Sequence, residues 1–371
     1  MLNKHDDVYE LNFGPHHPST HGVLRLKLRL SGEEVLSCEP EIGYLCRNVE
    51  KIVESKKFLS IIPYIDRLDY LSPAIQEHAY VLAIEKLLKV HPPKRAVFIR
   101  TIFDELTRIS SHIMAIGSMT YDLGCLSLFL YGFEEREKIM EIFDEVTGAR
   151  MHISYYVPGG VFADVSQQAI QMIRSFLGGI DQYLQIVDRL ALNNRIFIRR
   201  TKNIGNISKS QAIENGLSGV NLRASGIVYD VRNSIRYGAY KFLNFTPITL
   251  TGGDCYDRMK LRTLEVRQSV YLIEELLEIL PRGDFCIEAL WKKDIKIPEE
   301  KVIFSSTETP RGEFGIHMFV AENSMMPLRM HFKSPSFAHI QFLSKLLVGC
   351  KLPDIPAILG SMDFIMGCAD R

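Results

Sequence analysis

The stretch Gly14-Pro15-His16-His17-Pro18-Ser19-Thr20-His21-Gly22 gathers histidines His16, His17 and His21 into one short segment. Imidazole titrates near neutral pH, so proton transfer is the chemistry such a segment offers. A zinc site is disfavoured, because no HExxH and no cysteine pair accompanies it. The same histidines could equally be ordinary turn residues. A second candidate is Asp122, the only charged residue between 113 and 133. That length would suit a membrane span. However, Gly117, Ser118, Thr120, Gly124 and Ser127 lower its hydropathy, and an acid at mid-span is expensive. The expectation is a helix buried inside protein, whose carboxylate needs a partner or a task. A third candidate is Tyr70, a phenol set among charges in Pro63-Tyr64-Ile65-Asp66-Arg67-Leu68-Asp69-Tyr70. In isolation such a tyrosine reads as a core residue and Asp66-Arg67 as a solvated pair.

The elements that position these groups can be read from patterning. Val8-Tyr9-Glu10-Leu11-Asn12-Phe13 reads as a strand. After the histidines, Leu24, Leu26, Leu28 and Leu30 alternate with Arg25, Lys27 and Arg29, the period of a strand with one buried face. The histidines thus sit on the link of a hairpin, stiffened by prolines that fix φ and lack an N–H. Ser31-Gly32-Glu33-Glu34 supplies the next turn. Helical patterns follow at 44–59, 68–90 (stopped by Pro92-Pro93), 96–133 (broken near the glycines), from Glu134 to near Gly148, at 166–192 and at 256–280. The stretch 216–256 reads as long ordered loops. The tail from Lys301 mixes strand-like runs with Pro310, Pro327, Pro335, Pro353 and Pro356 and is expected to be irregular. The fold class expected is α+β: a small N-terminal antiparallel sheet, a central helical bundle and an irregular C-terminal segment. The corresponding divisions are 1–60, 61–300 and 301–371.

Composition narrows the function classes. The 371 residues carry 44 basic and 44 acidic side chains, so no polyanion-binding footprint is visible and no nucleic-acid partner is expected. Met1-Leu2-Asn3-Lys4-His5-Asp6-Asp7 lacks the apolar core of a signal peptide and the character of a transit peptide. The cysteines Cys38, Cys46, Cys125, Cys255, Cys286, Cys350 and Cys368 stand singly, without CxxC, which suggests neither a disulfide scaffold nor a metal-cluster ligand set. No GxGxxG follows an expected strand, so the chain would not oxidise a nicotinamide by itself.

Read in order, several segments resemble the quinone-site large subunit of respiratory complex I, a family related to the large subunit of nickel–iron hydrogenases. The resemblance runs from Gly14-Pro15 through Asp66-Arg67-Leu68-Asp69-Tyr70, Gly148-Ala149-Arg150-Met151-His152, Leu222-Arg223-Ala224-Ser225-Gly226, Gly253-Asp254-Cys255-Tyr256-Asp257-Arg258 and Pro335-Ser336-Phe337 to Met366-Gly367-Cys368-Ala369-Asp370-Arg371. It implies a hydrogenase-large-subunit-like fold and a core peripheral-arm subunit of a proton-pumping NADH:quinone oxidoreductase, inactive alone. It implies as partners an iron–sulfur small subunit holding the terminal [4Fe–4S] cluster, other peripheral-arm subunits and a membrane arm. Ubiquinone would be reduced in a cavity shared with the small subunit. The family's quinone ligands fall on His21 and Tyr70, and the acid paired with that histidine on Asp122. Arg47 and His152 match positions close to the partner's cluster, and Asp363 and Arg371 match positions near the cavity; none is a cluster ligand. The location implied is the inner membrane, on the peripheral arm facing the mitochondrial matrix, or alternatively the cytoplasmic face of a bacterial plasma membrane.

Departures from the family are Cys46 for a usual histidine, Asn48 for glycine and Cys368 for an acid. The rival readings are a nickel–iron hydrogenase, which needs paired thiolates absent here, a non-catalytic scaffold subunit of a hydrogenase-related membrane complex, and a soluble hydrolase without an identifiable nucleophile.

Overall fold

The computed structural model describes residues 8–16, 22–291 and 294–371. Strands Val8–Phe13, Arg25–Ser31 and Glu34–Glu41 form an antiparallel sheet in chain order. Phe13 pairs with Leu26 and Val8 with Ser31, so the hairpin read from the alternation is present. Leu24, Leu26, Leu28 and Leu30 are buried. Gly32 turns the chain at φ +60°, a left-handed conformation that glycine adopts without steric cost.

The helix expected over 44–59 is broken into Val49–Ile52, a 3₁₀ turn at Val53–Ser55 and then Phe58–Ile65. Asn48 at φ +54° precedes the first piece and the extended Lys57 precedes the last, and neither conformation propagates a helix. The 68–90 pattern becomes Pro73–Leu88, with Pro73 in the first turn, where its missing N–H costs nothing. The 96–133 pattern divides into Lys94–Asp122 and Leu126–Thr147 around Gly124 at φ +91°.

That division corrects two expectations. Asp122 is not inside a buried helix; it is the last residue of one and half-buried. The charged run Glu134-Glu135-Arg136-Glu137-Lys138 does not open a helix but lies within one begun at Leu126, with Lys138 bridging back to Glu135 at 2.7 Å. Around this corner Tyr121, Leu126, Leu130, Tyr131 and Phe133 are exposed. Among the described residues no helix is long and apolar enough to cross a membrane.

The Lys94–Asp122 helix is the hub. It packs on Leu126–Thr147, on Cys255–Glu278 and on Ile355–Met362. It is buried on every side, yet it carries Arg100, Asp104, Glu105, Arg108 and His112 into the interior, all at most 1% exposed. Gln167–Val187 and Cys255–Glu278 start on side-chain caps from Ser166 and Asp254. The region 216–256 holds short helices, Val220–Arg223 and Val231–Ser234, between ordered loops.

The C-terminal region is more regular than its prolines suggest. Lys301–Thr309, Gly312–Val320 and Arg329–Lys333 form an antiparallel sheet, followed by helices Pro335–Leu346 and Ile355–Met362. Pro310 sits in the hairpin turn, Pro327 outside the strands, and Pro335 and Pro356 in first helical turns, positions that need no proline N–H.

Candidate functional site

The turn between Phe58–Ile65 and Pro73–Leu88 is the centre of the site. Asp66 and Asp69 point inward, fully buried, while Arg67 and Tyr70 face out, Tyr70 at 40% exposure. The inward side of the turn is anchored by the C-terminal region and by the 148–156 segment.

Asp66 accepts from Arg67 Nη1 and from Ser154 Oγ, each at 2.8 Å. Burial nonetheless raises its carboxyl, opposed by Ser154, Arg67 and His152. His152 Nδ1 stands 3.3 Å from the Asp66 carbonyl, on a residue at φ +54°. The buried Glu77 takes the backbone N–H groups of Tyr155 and Tyr156 at 2.8 and 3.0 Å, so the same segment is tied to the helix that follows Tyr70. Burial and the neighbouring Asp66 push the Glu77 carboxyl upward, against those N–H donors.

Arg47 reaches the turn from the other side. Its Nη1 donates to the Arg67 carbonyl and its Nη2 to the Gly367 carbonyl, both at 2.8 Å. Its Nε is buried with no acceptor among the described residues. Its backbone N–H donates to the Arg371 carbonyl at 3.2 Å. Arg371 in turn donates to the Phe332 carbonyl at 2.6 Å, pairs with Glu50 at 3.2 Å and stacks its guanidinium 5.4 Å from the Phe337 ring centre. Asp370 accepts from Gly43 and Leu45 N–H at 2.9 and 2.8 Å. The extreme C-terminal segment therefore fixes the loop that carries Cys46, Arg47 and Asn48.

Two of the positions expected to depart from the resemblance have a physical reading here. Asn48 sits at φ +54°, a region asparagine tolerates better than most residues. Cys368 is buried, and its thiol is pushed up to about 12 by burial and by Asp69. It behaves as a neutral group accepting from Ser334 at 3.0 Å and Gln76 at 3.8 Å. Cys46 is exposed.

Asp363, at φ +51°, meets Arg311 at 3.2 Å and Arg262 at 3.8 Å. Arg311 also holds Asp69 at 2.9 Å. The structure thus gathers Tyr70, Arg47, His152, Asp363 and Arg371 around one turn. Asp122 stands apart, at the corner of the helix pair. His17 and His21 lie outside the described residues, so the pairing of His21 with Asp122 does too; His16 is exposed. Gly22 is packed so closely on Met366 that a Cβ would come within 2.9 Å of its Cγ, which brings the start of the second strand onto the C-terminal segment. Among the described residues no group of His, Cys, Asp and Glu is arranged to hold a metal ion.

Arg311, Ser154 and Glu77 were not evident from the sequence. Arg311 lies beside Pro310 in a tail expected to be irregular, and it is the packing of the sheet against the helices that turns it inward.

The chain matches the family model described as respiratory-chain NADH dehydrogenase, 49 Kd subunit, over residues 122–293 and 287–371. It belongs to that family. Similar proteins include the NADH-ubiquinone oxidoreductase 49 kDa subunit of Pylaiella littoralis, 41% identical over 392 residues that span 100% of this chain and 98% of that one. The protein of the same name from Cafeteria roenbergensis is 39% identical over 386 residues, covering 98% and 96% of the two chains. A bacterial relative, a subunit of the NADH-quinone oxidoreductase of Rhodospirillum rubrum, is 41% identical over 386 residues, covering 98% of each. This complex I subunit has the hydrogenase-large-subunit-like architecture of its family, mixed α and β with the small antiparallel sheet at its N-terminus. The scaffold reading is not favoured by these relatives.

Proposed function

We propose that this complex I subunit forms, with an iron–sulfur partner subunit, the cavity in which ubiquinone is reduced, and that Tyr70, His21 and Asp122 act there. The observation that carries the reading is the presentation of Tyr70: an exposed phenol on a turn whose flanking residues are buried and ionically clamped. A phenol and an imidazole can hydrogen-bond the two carbonyl oxygens of a quinone and supply the protons its reduction consumes. Asp122 would raise the basicity of His21 and set its tautomer. Loss of a proton from that pair is then an early step in coupling reduction to distant proton pumping.

The partner-held [4Fe–4S] cluster would supply electrons. Arg47 suits its neighbourhood, since a positive charge near the partner's cluster favours its reduced form. His152 lies within the same cluster of contacts. The remaining peripheral-arm subunits and the membrane arm are expected partners, with the peripheral arm at the matrix face of the inner membrane or the cytoplasmic face of a bacterial membrane.

The test is quinone-reductase turnover of the assembled complex, comparing wild type with Tyr70→Phe, which removes one hydroxyl. Strongly reduced turnover with the partner's cluster still reducible supports the reading. Unchanged turnover with both short-chain and native quinones refutes it and revives the scaffold role.

A further inference from the structure

The turn that carries Tyr70 is folded by a single carboxylate. Asp69 Oδ1 accepts from the Leu71 N–H at 3.1 Å and Oδ2 from Ser72 Oγ at 2.6 Å. Asp69 and Ser72 are fully buried, so the residues between them bulge outward and Tyr70 is displayed. That carboxylate is gripped from below. Arg311 Nη1 donates to Asp69 Oδ2 at 2.9 Å and to Ser111 Oγ at 3.0 Å, and Nη2 donates to Asp363 Oδ1 at 3.2 Å. One buried guanidinium therefore ties together the Tyr70 turn, the hub helix and the C-terminal segment. Its backbone is closely packed: a Cβ on Gly219 would stand 2.6 Å from the Arg311 carbonyl oxygen.

We propose that Arg311 is a positioning residue for quinone reduction, which clamps Asp69 and Asp363 so that Tyr70 faces the substrate and which offsets their charge beneath the phenol. This rests on the reading that Tyr70 serves the quinone. The charged groups facing Tyr70 are Asp69 from its own turn, Arg311 from the strand hairpin, Asp363 from the C-terminal segment and Arg136 from the Leu126–Thr147 helix. Burial raises the Tyr70 hydroxyl, Arg311 and Arg136 oppose that rise, and Asp69 and Asp363 add to it. Without Arg311, two buried carboxylates would face the phenol, with Arg262 meeting only Asp363. In the step itself, Tyr70 gives its O–H proton to a quinone oxygen as NADH oxidation elsewhere in the complex supplies the electrons. The phenolate left behind is held by the guanidinium charge until water returns a proton.

The experiment is the pH profile of NADH:quinone turnover by the assembled complex with a short-chain ubiquinone, for Arg311→Gln, Arg311→Lys, Asp69→Asn and Tyr70→Phe. Removing the positive charge raises the Tyr70 pKa, and removing a negative one lowers it. Arg311→Gln is therefore expected to move the alkaline limb up by about one pH unit and to lower kcat roughly tenfold, with a smaller change in KM. Asp69→Asn is expected to move the limb down, and Arg311→Lys to leave it near wild type. If Arg311→Gln does not assemble, the other two variants decide. Limbs that stay in place in every Arg311 and Asp69 variant, whatever happens to kcat, leave Arg311 a merely structural residue and overturn the inference. Wild-type turnover and profile in Tyr70→Phe overturn instead the reading on which it rests.

Discussion

Replacing Glu105 by glutamine removes a charge and little volume. The carboxylate is fully buried in the middle of the Lys94–Asp122 helix. It accepts from Arg232 Nη1 at 3.1 and 3.2 Å, Arg108 Nε at 3.3 Å, and the hydroxyls of Tyr240 and Ser269 at 2.5 Å. Arg232 and Arg108 can only donate, so a glutamine NH₂ there faces donor N–H groups and finds an acceptor only in the Tyr240 or Ser269 hydroxyl oxygen. Burial would raise the Glu105 carboxyl, but Arg232, Arg108 and the two hydroxyls outweigh it and bring it to about 2 from 4.5. That gap is worth roughly 3 kcal/mol at ~1.36 kcal/mol per pH unit. Breaking a buried pair by removing one partner costs about 3–5 kcal/mol, an independent route to the same figure. Glu105→Gln should therefore lose about 3 kcal/mol, a large share of a typical stability on the order of 5–15 kcal/mol. The folded carboxyl titrates below the unfolded one, so this stabilisation is complete above the unfolded value of 4.5 and is lost as pH falls toward about 2. The assay is denaturant unfolding of wild type and variant across that range. The difference should hold constant from neutral pH down to about 5 and shrink on further acidification. A difference under about 1 kcal/mol at neutral pH, or one that widens in acid, would refute the reasoning.

Further outcomes follow from the same structure. Gly219→Ala, at φ +66° and 2.6 Å from the Arg311 carbonyl oxygen, should cost more than about 2 kcal/mol, visible as a lowered thermal midpoint of the complex. Cys368, with its buried thiol pushed up to about 12, should resist maleimide in the folded protein and react on unfolding; rapid native labelling counts against the packing described. Asp122→Asn in a complex that still reduces quinone should lower the protons pumped per electron pair. An unchanged stoichiometry removes Asp122 from the coupling role.

The N-terminal hairpin was legible because Leu24 to Leu30 obey a period of two with one buried face, a signal that needs no tertiary information. The long helices were legible from helical spacing, with a break expected near the glycines of 117–132; the structure puts it at Gly124, not before Glu134. The position of Asp122 was misread because an apolar stretch with one acid looks the same whether it is buried by its own chain or left exposed at a corner. The C-terminal sheet was hidden by prolines, none of which lies within a strand. At the candidate site, motif resemblance singles out Tyr70, Arg47 and His152 individually, and the structure brings them around one turn. The resemblance could not show that Asp66 and Asp69 face inward while Tyr70 faces outward, because that depends on Ser154, Arg311 and Gly367, each supplied from elsewhere in the chain.

The charges of the Lys94–Asp122 helix also constrain the order of events during synthesis. Arg100 finds part of its shell at Val157 and Gly160, Asp104 at Tyr156, Glu105 at Arg232, Tyr240 and Ser269, Arg108 at Glu308, and His112 at Glu265. A ribosome finishes this helix long before most of those partners leave the tunnel. At roughly 5–20 residues per second, the nascent chain spends on the order of ten seconds or more holding a half-apolar, half-ionic helix that has nothing to dock against. Such a segment is safest in the hands of a chaperone. A chain truncated before the 301–371 region would be expected to aggregate rather than to form a smaller stable core, since closing long loops must precede the contacts that reward them.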